Sequence, residues 1–232
     1  MREVVLDTET TGLKPEEGHR IVEIGAVELI NHIPSGRTFH SYFDPERDMP
    51  ADAQNVHGLS TEFLRGKPSF AGQAAELLAF IADSQLIIHN APFDLGFLNN
   101  ELRLVGLTPL LPKRVLDTLL LARQRHPMGP NSLDALCKRY GIDTAAREKH
   151  GALLDAGLLA QVYLELIGGR QAGLDLAANI AAAPVIVVTQ VTALRTRTRP
   201  LEPRLSTDER QRHDIFVTEI GSHALWLKSK AP

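Results

Sequence analysis

Cysteine is almost missing from this chain. Cys137 is the only one in 232 residues, which excludes an intrachain disulfide and a cysteine-built zinc site. A charge excess is missing as well: the formal net charge of −3 offers no global field that would draw the chain to a polyanion or a membrane. Local neutralisation by metal ions would still permit a nucleic-acid enzyme. No apolar run approaches the ~20 residues of a spanning helix, so no membrane partner is expected. The opening Met1-Arg2-Glu3 has none of the features of a signal peptide, and a cytoplasmic location is the expectation. Internal repeats, low-complexity tracts and a Walker-type glycine-lysine loop are also lacking.

What is present begins at Val4-Val5-Leu6-Asp7-Thr8-Glu9-Thr10-Thr11-Gly12. The apolar, β-branched start reads as a strand, and residues two apart on a strand share a face. Asp7 and Glu9 therefore point the same way. Two adjacent carboxylates repel unless a cation lies between them, and hard divalent cations take such oxygen ligands. The bland alternative is a surface acid pair.

A second strand is expected over Arg20–Ile30, bulged near Gly25 because Glu23 and Glu28 have opposite parity. A turn at 33–36 should lead to a third strand, Arg37–Phe43, closing an antiparallel meander. Helices follow at 52–58, which ends on Gly58, from Ser60, and from Pro68 to about Ala82, whose apolar face is Phe70, Ala74, Leu77, Leu78 and Ile81. Leu86–Ile88 reads as a buried inner strand. Pro92 opens a helix to about Val105. Val115–Thr118 suggests a last strand before helices at 119–125, at 133–140 (capped by Asn131-Ser132) and at 151–166. Early strands and late helices argue an α/β domain over residues 1–168, a mixed sheet flanked by helices. Beyond it, six arginines and few apolar residues between 194 and 212 give linker composition. Residues 214–232 turn apolar again and carry the only tryptophan, Trp226, as a docking peptide would. A strand folding back on the domain is the alternative.

Two further acids join the first pair. Asp94 follows the buried strand in the first turn of a helix, where the helix dipole alone would favour it. Asp155 lies among Leu153, Leu154, Ala156, Leu158 and Leu159, and an unpartnered buried carboxylate there would cost several kcal/mol. His150 is five residues earlier, about 140° away on a continuous helix, so it meets Asp155 only from a preceding loop. Four carboxylates and one histidine suggest a two-metal site acting on a phosphodiester. Asp7 would bridge the ions, Glu9 and Asp155 would hold the nucleophile side, and Asp94 the leaving-group side. His150, with an ordinary pKa near neutrality, suits a general base.

Asp7-Thr8-Glu9-Thr10-Thr11-Gly12, His89-Asn90-Ala91-Pro92-Phe93-Asp94 and His150 through Ala156 resemble the three motifs of the DEDDh 3′→5′ exonucleases. The stretches 21–26, 56–59 and 131–137 are similar to the proofreading epsilon-type members of that family in bacterial DNA polymerase III. The resemblance implies a ribonuclease-H-like fold, two Mg²⁺ or Mn²⁺ ions, and release of nucleoside monophosphates from a DNA 3′ end. It further implies that Asp52 and His57 line the pocket of the terminal nucleotide, although the family often carries Glu at the first of these. Thr8 and Glu9 would contact the sugar through their backbone, with Asp7 and Asp155 beside the substrate. Leu13 and Val56 would wedge against the base. In the tail, Gln171–Leu176 is similar to a sliding-clamp-binding peptide, and Leu225-Trp226-Leu227 sits where the family docks on the polymerase alpha subunit. The implied organisation is an exonuclease domain (1–168), a flexible linker (169–213) and a polymerase-docking segment (214–232). An RNA 3′-end-trimming exonuclease and a non-catalytic tethering module remain as alternatives.

Overall fold

The computed structural model describes residues 1–145, 149–168 and 205–221. Five strands form one sheet in the order β3-β2-β1-β4-β5. β1 (Arg2–Thr10) pairs antiparallel with β2 (Ile21–Ile30), which pairs antiparallel with β3 (Ile33–Tyr42). On its other side β1 runs parallel to β4 (Gln85–Ile88), and β4 runs parallel to β5 (Val115–Asp117). The expected mixed sheet and its meander are therefore present.

Alternation along β1 sorts its side chains between two layers. Val4 and Leu6 face α3 (Phe70–Ile81) and α4 (Ala91–Leu104), with Phe70, Leu77, Phe97 and Leu98 completing that core. Val5 faces α7 (Ala152–Leu166) and packs with Ile87, Leu159 and Tyr163. Glu3, Asp7 and Glu9 share the parity of Val5, so they too point to the α7 side. α5 (Thr118–Arg125) and α6 (Leu133–Tyr140) contribute Ala122, Leu136 and Cys137 to a further cluster with Leu158, Val162 and Leu166 of α7. Each fully buried valine, leucine, isoleucine or phenylalanine among these contributes about 1.5–3 kcal/mol. α1 (Ala51–His57) stops at Gly58, whose left-handed φ of 80° suits glycine, and α2 (Thr61–Leu64) starts from the Ser60 cap.

The structure corrects several sequence expectations. β3 begins at Ile33, not Arg37, because Asn31 and His32 (φ 50° and 66°) make a two-residue hairpin turn. The expected turn at 33–36 is instead an irregular part of an edge strand, where Pro34 is tolerated. β2 is not bulged at Gly25, which pairs in register with Asp7. The register shifts lie between Glu9 and Thr10 on β1 and between Val27 and Leu29 on β2. On α3, Phe80 joins the buried face and Leu78 is only partly buried.

The chain forms two compact units, Met1–Asp175 and Leu176–Pro232. In the second, α8 (Thr207–Ile220) crosses the expected linker boundary at 213/214. Ser206 and Glu209 form a reciprocal capping box that starts this helix despite its polar, linker-like composition. The clamp-like peptide 171–176 and Leu225-Trp226-Leu227 lie outside the described residues. Among the described residues, no helix is long and apolar enough to cross a membrane.

Candidate active site

The site forms where the C-terminal end of β1 meets the N-termini of α4 and α7. Gly25 makes the approach of α7 possible: a Cβ there would collide with the backbone of Ala152 and Leu153. With that gap open, Asp155 in the first turn of α7 is buried on the Asp7/Glu9 side of the sheet. His150 lies in the segment before the helix, as its spacing required. Its Nδ1 is 3.0 Å from Asp155 Oδ2, and its N–H reaches the Val56 carbonyl at 3.4 Å.

Asp94 arrives from the other layer. Asn90 takes a left-handed φ of 62° before α4 starts, and Pro92 occupies the first turn. Asp117 stabilises that turn: its Oδ1 accepts from Asn90 N–H at 3.1 Å and from Leu119 N–H at 2.8 Å, capping α5 as well. Asp94 is buried, and its Oδ1 accepts from the Thr8 hydroxyl at 2.7 Å and the Thr8 N–H at 3.1 Å. Thr8 thus ties α4 to β1 between Asp7 and Glu9.

Ligand atoms of Glu9, His150 and Asp155 all lie within 4.8 Å of one another. Asp7 joins them through charge. Burial, then Asp94, Glu9, Asp155 and Glu23, push its carboxyl well above the usual range. Burial likewise pushes Asp94 up to about 7, although the hydrogen bonds from Thr8 oppose the shift. Oxygen donors that repel one another this strongly fit a hard divalent cation, which would supply the missing positive charge. The structure thus brings Glu9, His150 and Asp155 directly together, sets Asp94 against Thr8 between Asp7 and Glu9, and leaves Asp7 within the electrostatic reach of Asp94, Glu9 and Asp155.

A cleft of about 450 Å³ adjoins the acids. Thr8, Glu9, Asp52 and His57 line it, together with Leu13 and Val56. The last two are 78% and 50% exposed, so apolar surface faces whatever enters. His57 is buried and its Nδ1 accepts from Leu59 N–H at 3.0 Å, while burial lowers its pKa and favours the neutral ring. The sequence alone does not assign Glu17, His19, Pro50, Ala53 or Phe93 to this lining. Thr11 Oγ1 lies 3.1 Å from His19 Nδ1, and the ring packs where a Gly12 Cβ would stand. Only the fold reveals this. Asp117 was also missed, although an aspartate just before a helix is a recognisable cap.

A family model described as Exonuclease matches residues 4–163. The DNA polymerase III subunit epsilon of Rickettsia conorii is 48% identical over 223 residues, covering 95% of this chain and 96% of that protein. The Escherichia coli subunit of the same name is 48% identical over 178 residues, covering 73% and 72%. Among solved structures, the nuclease domain of 3′hExo, a DEDDh family member bound to rAMP, has a TM-score of 0.63 at 19% identity, covering 72% of this chain and 92% of that one. E. coli Exonuclease I with an oligonucleotide gives 0.62 at 20% identity, covering 73% and 41%, so this chain spans less than half of that molecule. At such identities the structures speak for the fold, and the ribonuclease-H-like expectation holds. The chain belongs to the exonuclease family, among the epsilon subunits of DNA polymerase III.

Proposed function

We propose that this enzyme is the proofreading 3′→5′ exonuclease of a replicative polymerase, hydrolysing the terminal phosphodiester of a DNA 3′ end. The observation that carries the reading is the convergence of Asp7, Glu9, Asp94, Asp155 and His150 beside a nucleotide-sized cleft with an apolar rim. Two divalent ions, Mg²⁺ or Mn²⁺, held by the four carboxylates, would neutralise the phosphate and make a bound water a stronger acid. Asp155 orients the imidazole through Nδ1–H, and His150 Nε2 takes the proton of the attacking water. The water oxygen bonds to phosphorus, the bond from phosphorus to the 3′-oxygen of the penultimate sugar breaks, and a nucleoside 5′-monophosphate leaves. Asp52 and His57 bound the nucleotide, the Thr8–Glu9 backbone holds its sugar, and Leu13 and Val56 press on its base. A frayed 3′ end costs less to unstack into such a cleft than a paired one, which supplies the discrimination.

The same reading assigns residues 169–213 to a tether bearing a clamp-binding peptide at 171–176, and residues 214–232 to docking on the polymerase alpha subunit in the cytoplasm, with α8 (Thr207–Ile220) spanning the junction of the two. The names of the curated relatives support an association with DNA polymerase III. The test is mononucleotide release from 3′-labelled oligonucleotides, with Mg²⁺ or chelator, on paired DNA, mispaired DNA and RNA. Metal-dependent release, fastest at the mispair and lost in Asp7→Ala, is expected. A preference for RNA would replace proofreading with RNA trimming, and no release with any metal would leave a tethering module.

A further inference from the structure

One buried carboxylate beside the site has no place in the mechanism above. Glu23 on β2 stands directly opposite Glu9 on β1 in the antiparallel register, and both are buried. Directly opposed residues of such a pair share a face, with Cβ atoms about 4.5–5.5 Å apart, and like charges there are destabilising. Glu23 is held from its far side by the edge strand. His40 Nε2 donates to its Oε1 at 2.7 Å, and Tyr42 is its register partner on β3. Burial and then the Glu23 carboxylate push the Tyr42 phenol up, which places that hydroxyl beside the acid too. Glu23 is thus held from the β3 side by His40 and Tyr42, while its neighbour on the β1 side is Glu9. Glu23 is also among the acids that raise Asp7. A hydrophobic or amide residue would satisfy packing at this position without the repulsion, so the charge needs a reason.

We propose that Glu23 is a positioning residue for the divalent cations: anchored by His40 and Tyr42, it stands behind Glu9 and adds the negative charge that tightens cation binding. The proposal rests on the metal reading of the site and extends it to the β3 edge. Residues that stand behind metal ligands typically change affinity roughly 10- to 100-fold when removed.

The test reads cation binding without substrate. The full chain is melted in chelator and across a Ca²⁺ titration, then a Mn²⁺ titration, as wild type, Glu23→Gln and Glu23→Asp. Gln keeps the shape and the acceptor for His40 but drops the charge, whereas Asp keeps the charge and shortens the reach. The expected result is that Glu23→Gln melts no lower than wild type in chelator and needs at least about tenfold more cation for half of the stabilisation. Glu23→Asp should bind cation more tightly than Glu23→Gln. An unchanged cation midpoint in Glu23→Gln overturns the proposal. So does a Glu23→Gln protein that melts several degrees lower in chelator or does not fold, because the side chain then serves the fold. Should wild type itself gain no stability from either cation, the metal reading fails, a result distinct from failure of Glu23 alone.

Discussion

Gly25→Ala is the substitution whose consequence follows most directly from the packing. The added Cβ would overlap the backbone at Ala152 and Leu153, which no side-chain rotation relieves. Atoms in contact sit about 3.5–4.0 Å apart and the added Cβ would stand 2.1–2.3 Å from that backbone, so the N-terminus of α7 must withdraw by roughly 1.5 Å. Overpacking of this sort costs about 1–3 kcal/mol, offset by about 0.4–1 kcal/mol from the stiffer unfolded chain. At about 2–4 °C per kcal/mol for a chain of this size, the melting temperature should fall by a few degrees. The catalytic effect should be larger than the loss of stability suggests. Asp155 and His150 travel with the start of α7, and a misplacement of about 1 Å can cost about 100-fold in rate. Thermal melts paired with single-turnover release of mononucleotide measure both. A Gly25→Ala protein with wild-type turnover would refute the claim that this glycine seats the catalytic helix.

Four other outcomes follow. Thr8→Val removes the hydroxyl bonded to Asp94 and should cost about 1.5–3 kcal/mol in a denaturant melt, with slower hydrolysis; unchanged stability would mean that the N–H alone holds the carboxylate. In chelator, Asp94 is held at about 7, above its unfolded value of ~3.9, so its contribution to stability is fully present below pH ~4 and lost as pH rises towards 7. Asp94→Asn should therefore gain melting temperature relative to wild type between pH 5 and about 7, and a flat or reversed difference contradicts the burial argument. Leu13→Ser alters a side chain that is 78% exposed, so stability should stay within about 0.5 kcal/mol while the rates on paired and mispaired ends, compared on matched oligonucleotides, change in ratio. Tyr163→Phe breaks the 2.6 Å bond to buried Glu3 at the other end of β1 and should lower the melt without altering turnover.

Most of the site could be read from the sequence because its residues contradict their surroundings. Asp155 sits in a run of leucines, Asp94 follows an all-apolar strand, and Asp7 and Glu9 interrupt another. The buried positions of Glu9, Asp94 and Asp155, and the half-buried one of Asp7, follow from that pattern. What escaped depends on the third dimension. Nothing local marks Gly25 as the seat of α7 or places the His19 ring over Gly12. The β3 boundary is not legible in the sequence because the Asn31-His32 turn contains no glycine and Pro34-Ser35-Gly36 carries a stronger turn signal. α8 was hidden by charge: its arginines and acids resemble a linker, and only the Ser206–Glu209 spacing announces a helix start.

The proposed function requires the four carboxylates of β1, α4 and α7 to hold cations against a DNA 3′ end. A crystal of the full chain soaked in Mn²⁺ with a nucleoside 5′-monophosphate tests it most directly through anomalous scattering. Mn²⁺ peaks are expected bounded by Asp7, Glu9, Asp94 and Asp155, with the nucleotide in the cleft between His57 and Leu13. Mn²⁺ bound elsewhere, or a nucleotide outside that cleft, would contradict it.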